Sequence, residues 1–323
     1  MPALLAVEAL RVDIPTPSGL LHAVRGVDLA LEAGQTLCVV GESGCGKSIT
    51  ALALMGLLPS AARRSAARLE FAGEDLLGAP ESRMADQRGN RLVMIFQEPM
   101  TSLNPAWTVG NQLAEVWTRH RGGPRRAARE RAVHLLERVG ITGPAGRLGQ
   151  YPHELSGGLR QRVMIAMSLM CAPALIVADE PTTALDVTVQ AQILRLLKDL
   201  QREFGMGLVL ITHDLGIVAR VADRVAVMYA GEIVEEAPVA HLFARPSHPY
   251  TQGLLACIPV PGKVRPGDPL GTIPGLVPSP IGALAGCQFR NRCARAADQC
   301  AVTDFALRET GQGARLRCRL AAA

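Results

Sequence analysis

The 323-residue chain is 48% hydrophobic but only 3% aromatic, and it carries a formal net charge of +5. That length suits one large domain with an appendage, or two domains, and a core built from Ala, Leu, Val, Ile and Met fits an α/β protein with a buried parallel sheet. The longest apolar stretch, Ile49 to Leu58, is about half the ~20 residues of a membrane-spanning helix, and the mild positive charge fits a polyanionic ligand or an anionic surface without requiring either.

The start, Met1 to Pro15, has no basic leader and no continuous apolar run, so it does not read as a signal peptide and the chain is expected to be cytosolic. Alternation of apolar and polar residues over the first ~35 positions, with turn residues at Pro15 to Gly19, predicts short antiparallel strands. Gln35 to Val40 predicts a buried strand, and Ile49 to Leu58 a helix stopped by Pro59. Between them Gly41-Glu42-Ser43-Gly44-Cys45-Gly46-Lys47-Ser48 matches G-x-x-x-x-G-K-[ST] in full. In such a loop the glycines let successive N–H groups point at phosphate oxygens, and the following helix adds its positive end. Lys47 can then reach the outer phosphates and Ser48 can ligate Mg²⁺. The loop alone says nucleotide; it does not separate a kinase, a GTPase or a motor.

Gln97 ends the apolar run Leu92 to Phe96 and can offer an amide to a metal or a water. From about Pro99 to Met170 the periodicity predicts mostly helix. The six arginines of Arg119 to Arg131 lack interleaved aromatics after Trp117, so they read as a solvated helix face and not as a nucleic-acid binder. Met164, Met167 and Met170 read as core. Leu155-Ser156-Gly157-Gly158 opens a second helix with exposed N–H groups and a hydroxyl, another anion-binding arrangement. One nucleotide does not need two such devices in one chain, so the second is expected to serve a partner's nucleotide.

Ala174 to Ala178 predicts a buried strand ending in Asp179 and Glu180. Asp179 can approach Mg²⁺, and Glu180 can polarise an attacking water; two solvent-facing acids are the plainer alternative. A helix over Val189 to Phe204 follows, then strand-like runs at Leu208 to Thr212 and Val225 to Tyr229, which together imply parallel βαβ units. His213 sits at a strand end, on the sheet edge where ligands collect. Beyond Ala244 the composition shifts, and Pro246 to Pro280 reads as an extended, Pro- and Gly-rich segment. Cys287, Cys293, Cys300 and Cys318 then cluster with C-x5-C-x6-C-x17-C spacing. Zinc ribbons use closer pairs; four thiolates at wider spacing can hold a [4Fe–4S] cluster, and four free thiols are the remaining reading.

The phosphate loop, Gln97, the Leu155 to Arg162 signature, Asp179-Glu180, the Thr183-Ala184-Leu185-Asp186 loop and His213 stand in the order seen in the ATP-binding cassette superfamily, which the chain resembles over about residues 5 to 250. The resemblance implies a RecA-like P-loop core with a mixed sheet, an N-terminal antiparallel β-subdomain, an inserted helical subdomain at about 98–170 and an irregular Cys-containing C-terminal extension. It places the nucleotide-binding domain at 5–254 and the extension at 255–323. In that superfamily two cassettes close head-to-tail on two ATP molecules. Ser156, Gly157 and Gly158 are thereby expected to contact the partner's γ-phosphate, Asp186 to lie at the seam, and Gln97 to sense the membrane subunit. The adenine-stacking aromatic of the family corresponds to Ile14, which can cover the ring but not π-stack. Cys45, beside Lys47 and a helix start, is expected to favour its thiolate and to react with alkylating reagents.

Gln97 to Pro105, Asp179 to Gln192, Ser247 to Leu255 and the cysteine cluster resemble the dipeptide, oligopeptide and nickel importer branch. Some relatives there carry a [4Fe–4S] cluster, which favours iron–sulfur over zinc. The branch implies a peripheral ATPase on the cytoplasmic face of the membrane, paired with a homologous cassette, two transmembrane permeases and, through them, an extracytoplasmic binding protein. Peptides are the expected cargo, with nickel, glutathione or another solute as alternatives. A soluble cassette acting on nucleic acid or ribosomes is a further alternative, disfavoured because the chain has neither a second cassette nor a coiled-coil insert.

Overall fold

The strands run in chain order as β1 (Leu5–Thr16), β2 (Gly19–Leu31), β3 (Thr36–Val40), β4 (Arg63–Ser65), β5 (Arg68–Phe71), β6 (Glu74–Asp75), β7 (Leu92–Ile95), β8 (Leu175–Asp179), β9 (Gly207–Thr212), β10 (Arg224–Tyr229), β11 (Glu232–Pro238), β12 (Arg308–Gly311) and β13 (Ala314–Leu316). The structure, a computed structural model, describes residues 3–97, 102–182, 185–258 and 271–322. Glu98 to Thr101 after Gln97, Thr183 and Ala184 before Asp186, and 259–270 of the Pro- and Gly-rich segment lie outside the described residues. The chain forms two units: one of Met1–Leu4, Glu32–Gln35 and Gly78–Ile211, the other of Leu5–Leu31, Thr36–Leu77 and Thr212–Ala323.

In the second unit β1 and β2 form an antiparallel hairpin closed by Pro17-Ser18, with Thr16 opposite Gly19. These strands have 12 and 13 residues, longer than the short strands expected. A register shift between Val7 and Leu10, where Ala9 takes φ 52, resets the alternation so that Leu5, Val7, Leu10 and Val12 all stay buried. Strand β5 extends this sheet along β1. A separate ladder joins β3 parallel to β10, β10 antiparallel to β11, then β13 and β12, making a mixed sheet. The last two strands come from the cysteine-bearing tail, which is more regular than its Pro and Gly content suggests. Acids on β11 secure it: Glu236, its side chain only 3% exposed, bonds both Arg224 and Arg315.

In the first unit β7, β8 and β9 run parallel in register, Leu92 opposite Leu175 and Leu175 opposite Gly207. Every residue of these strands is buried, as the continuous apolar runs of a parallel sheet require. Helices span Val109–His120, Arg125–Arg138, Pro144–Arg147 and Gly157–Ser168, the expected helical region. Trp107 and Trp117, the chain's two tryptophans, both lie here. The basic stretch is not a single solvated face. Gly122 and Gly123 interrupt it, Arg121 donates to Cys171 O at 2.6 Å, and Arg131 donates to Leu169 O at 3.1 Å. These arginines satisfy carbonyls left open where the helix Gly157–Ser168 ends. Met164 and Met170 are core, whereas Met167 is half-buried.

Candidate functional site

The phosphate-loop residues, Ile14 and His213 belong to the second unit; Gln97, Ser156, Gly157, Gly158, Asp179, Glu180 and Asp186 belong to the first. Loop and helix are shaped by two glycines. Gly41 has φ 155, and a Cβ there would lie 2.2 Å from Met228 O; Gly46 has φ 107, and a Cβ there would lie 2.4 Å from Ala23 O. No other residue fits between loop and strands at those points. The helix starts at Lys47, two residues earlier than the apolar run suggests, and ends at Met55. Gly56, in the left-handed conformation at φ 64, stops it before Pro59 is reached.

Ser43 and Gly44 are exposed at the loop's rim, while Lys47 is 5% exposed beneath it. Its Nζ donates to Gly41 O at 2.8 Å and to Glu42 O at 3.0 Å, so the cation braces the loop from inside. Ser48 follows in the first helical turn. The expected Cys45 thiolate is corrected by the structure. The side chain is 1% exposed, and burial pushes the thiol's pKa up despite the opposing pull of Lys47. Cys45 is a buried, protonated packing residue under the loop. Ile14 is half-buried on β1 opposite Leu21. His213 is exposed directly after β9, before the helix Leu215–Val221 that Asp214 caps.

In the first unit Asp179 ends β8 at 4% exposure. Glu180 breaks out of the strand at φ 43, a left-handed conformation that costs a non-glycine residue about 1–2 kcal/mol. That turn separates the two carboxylates by direction: Asp179 stays in the sheet, and Glu180 accepts from Gln97 Nε2 at 3.3 Å. Ser156 caps the helix Gly157–Ser168, its hydroxyl accepting from Leu159 N at 3.4 Å. Asp186 caps the helix Val187–Phe204, accepting from Val189 N at 2.9 Å. The two helix starts touch, since a Cβ on Gly158 would meet Val189 Cγ1 at 3.3 Å. Both caps are exposed, and Val187 beside them is 81% exposed, a large apolar side chain left in the open.

Sequence reading missed how the tail meets the phosphate loop. Tyr250 Oη accepts from Glu42 N at 2.9 Å, and Arg292 forms a two-pronged ion pair with the Glu42 carboxylate at 2.7 and 3.0 Å. Ser247 to Tyr250 was a recognisable motif, but only its fold shows that it leads to the loop. Around this contact Tyr229, Tyr250 and Phe289 stack edge to face. Cys287, Cys293, Cys300 and Cys318 line one cavity with His248 and Phe289. Burial and the three neighbouring sulfurs push Cys287 up to about 11, a backbone bond from Phe289 opposing them. His248 Nδ1 accepts from Tyr250 N at 3.1 Å, which leaves the proton on Nε2, a buried atom with no partner among the described residues. Among the described residues no group of three or more His, Cys, Asp or Glu stands at metal-holding geometry.

Residues 24–183 match the ABC transporter family, and residues 234–300 match the oligopeptide/dipeptide transporter C-terminal region. The oligopeptide transport ATP-binding protein AppD of Bacillus subtilis is 47% identical over 322 residues, covering 99% of this chain and 97% of AppD. The dipeptide transport ATP-binding protein DppD of Escherichia coli is 46% identical over 316 residues, 98% of this chain and 96% of DppD. Among solved structures, a dimeric ATP-binding cassette in a post-hydrolysis state bound to ADP and Pi is 25% identical with TM-score 0.64, covering 73% of this chain and 98% of that one. The chain therefore belongs to the ABC transporter family, as an ATP-hydrolysing subunit that carries the oligopeptide/dipeptide transporter C-terminal region.

Proposed function

We propose that this subunit powers a peptide importer, peripherally bound at the cytoplasmic face of the membrane. Residues 5–254 form its nucleotide-binding part and 255–323 its extension. The N–H groups of Gly41, Ser43, Gly44, Cys45, Gly46 and Ser48, with Lys47, bind the ATP phosphates, and Ile14 covers the adenine. Ser48, Gln97 and Asp179 would hold Mg²⁺, which would neutralise charge on the phosphate oxygens. The nearly buried carboxylate of Asp179 at a strand end is chemically suited to that hard cation. Glu180 takes a proton from the attacking water, and His213 hydrogen-bonds the γ-phosphate.

The observation that carries this reading is the second anion-ready helix end. Gly157–Ser168 opens on exposed Ser156 and Gly157 with no acid in its first turn. A chain whose nucleotide is already held at Lys47 has use for it only on a partner's nucleotide. The dimeric cassette with ADP and Pi supports paired cassettes, and the names of AppD and DppD support peptide as cargo. The signature sequence favours a homologous second cassette over an identical one, with two permeases and an external binding protein completing the system. Arg121 and Arg131 of the basic stretch bond helix-end carbonyls, which supports a structural use for those two residues.

Glu180→Gln in the purified membrane complex tests the reading. ATP binding is expected to persist while turnover falls by about 10²-fold or more, the scale of a lost general base. Undiminished turnover would remove Glu180 from the chemistry, and loss of labelled-peptide uptake in cells carrying this variant would separate peptide from nickel or glutathione as cargo.

We further infer that the four cysteines take up a [4Fe–4S] cluster. The four thiols share one cavity and are chemically suited to that group, although they do not stand at ligating geometry in this structure, and the His248 N–H, without a partner among the described residues, suits an anionic, sulfur-rich occupant there. Such a cluster would supply structural linkage to the tail. Anaerobically purified protein is expected to carry iron and acid-labile sulfide in equal amounts; zinc, or neither element, would refute the assignment.

A further inference from the structure

We propose that Arg292, in the cysteine-bearing tail, is a positioning residue for ATP: it orients the phosphate loop and neutralises it through Glu42. The inference rests on the reading of residues 41–48 as the phosphate loop. Glu42 is an awkward residue for a loop that binds a polyanion, because its carboxylate adds negative charge beside the ligand. The structure supplies the remedy from about 250 residues away in sequence.

Arg292 is held with unusual completeness for an arginine. Its side chain is 4% exposed. Nη1 donates to Glu42 Oε2 at 2.7 Å and to Tyr229 Oη at 3.5 Å; Nη2 donates to Glu42 Oε1 and to Ile273 O, both at 3.0 Å; Nε donates to Pro274 O at 2.8 Å. The rings of Tyr229 and Phe289 lie 5.9 and 6.0 Å from the guanidinium carbon. Every N–H therefore has a partner, and the fork geometry is fixed from several sides. Glu42 is held a second time, through its backbone: its N–H donates to Tyr250 Oη at 2.9 Å. Side chain and main chain of one loop residue are thus both held, the first by the tail and the second by the segment that leads into it.

The tail also reaches the other end of the site. His22 N donates to Pro280 O at 2.8 Å, Gly282 N donates to Leu20 O at 3.1 Å, and Leu21 bridges to Ile281. Leu21 is the residue opposite Ile14, the adenine-side position. The extension therefore clasps the hairpin that carries Ile14 and the loop that carries Lys47. A tail present only for stability would have no reason to place its most fully bonded cation on the one acid of the phosphate loop.

The test is a nucleotide titration of the full-length chain, with Arg292→Met, Glu42→Gln, the double variant and Lys47→Ala. Arg292→Met leaves the Glu42 carboxylate uncompensated, so ATP and ADP affinity should each fall about tenfold. Adding Glu42→Gln removes that charge, and the double variant should recover to within about threefold of the wild type. Arg292→Lys keeps the charge without the fork and should fall between the two. The recovery is the readout that a merely structural role would not give, since the double variant lacks the ion pair altogether. Unchanged affinity in Arg292→Met, or a double variant as weak as the single, would overturn the proposal. Lys47→Ala separates the two levels of inference. If it leaves ATP binding intact, the phosphate-loop reading fails; if it abolishes binding while Arg292→Met does not matter, only the role of Arg292 fails.

Discussion

Glu42 and Cys45 sit in the same eight-residue loop, yet only their surroundings separate a residue that matters electrostatically from one that packs. The consensus marks Gly41, Gly46, Lys47 and Ser48 because backbone shape and phosphate chemistry restrict those positions. It is silent on the variable ones. Cys45 shows how local reasoning fails there: a neighbouring lysine and a helix start favour a thiolate, but burial outweighs them. Glu180 illustrates the opposite case, since its left-handed backbone turns it away from the adjacent Asp179. Glu232 brings a titration consequence. Burial is the leading cause that raises its pKa above the ordinary 4.5, against the pull of Arg317 and Arg25. The folded state then binds more protons than the unfolded chain from pH 4.5 upward, so this group lowers stability as pH rises through that window. Glu232→Gln is expected to flatten the fall in unfolding free energy between mildly acidic and neutral pH; denaturant titrations at several pH values would measure the difference between the two proteins.

At the level of elements, strands β3, β8, β9 and β10 were legible because parallel strands buried on both faces read as continuous apolar runs. Strand β11 was not. Its acids, Glu232, Glu235 and Glu236, argue against a buried strand until their partners are known. Glu235 accepts from Ser247 N and His248 N, both at 2.8 Å, and Glu236 lies between Arg224 and Arg315. Those partners lie 12 to 79 residues away, outside the span of the strand itself, so its own pattern could not reveal them. Removing one member of such a group is costly because the remaining charges keep their desolvation without their attraction. Glu236→Ala is expected to destabilise the protein by about 3 kcal/mol, measured by denaturant unfolding. A loss under about 0.5 kcal/mol would mean that the arginines are satisfied by water. The helix over Lys47–Met55 was also misjudged at both ends, since glycines set its limits and the apolar run did not.

For the molecule as a whole, the family was readable from spaced motifs, while the role of the tail was not. A cassette neighbour covers 73% of the chain. Proline and glycine made the tail look irregular, but β13 joins β11, and Arg292 reaches the phosphate loop. Both contacts depend on three-dimensional return of the chain, which periodicity does not encode. The placement of the two tryptophans has a separate consequence. Trp107 and Trp117 lie in the unit that lacks the phosphate loop, whereas Tyr229 and Tyr250 lie in the unit that contains it. Excited at the red edge of the absorption band, where tyrosine is dark, the chain emits from one half only. Its native fluorescence is thus a one-sided optical label, and any shift that follows nucleotide addition is a message received by the half that does not carry Lys47.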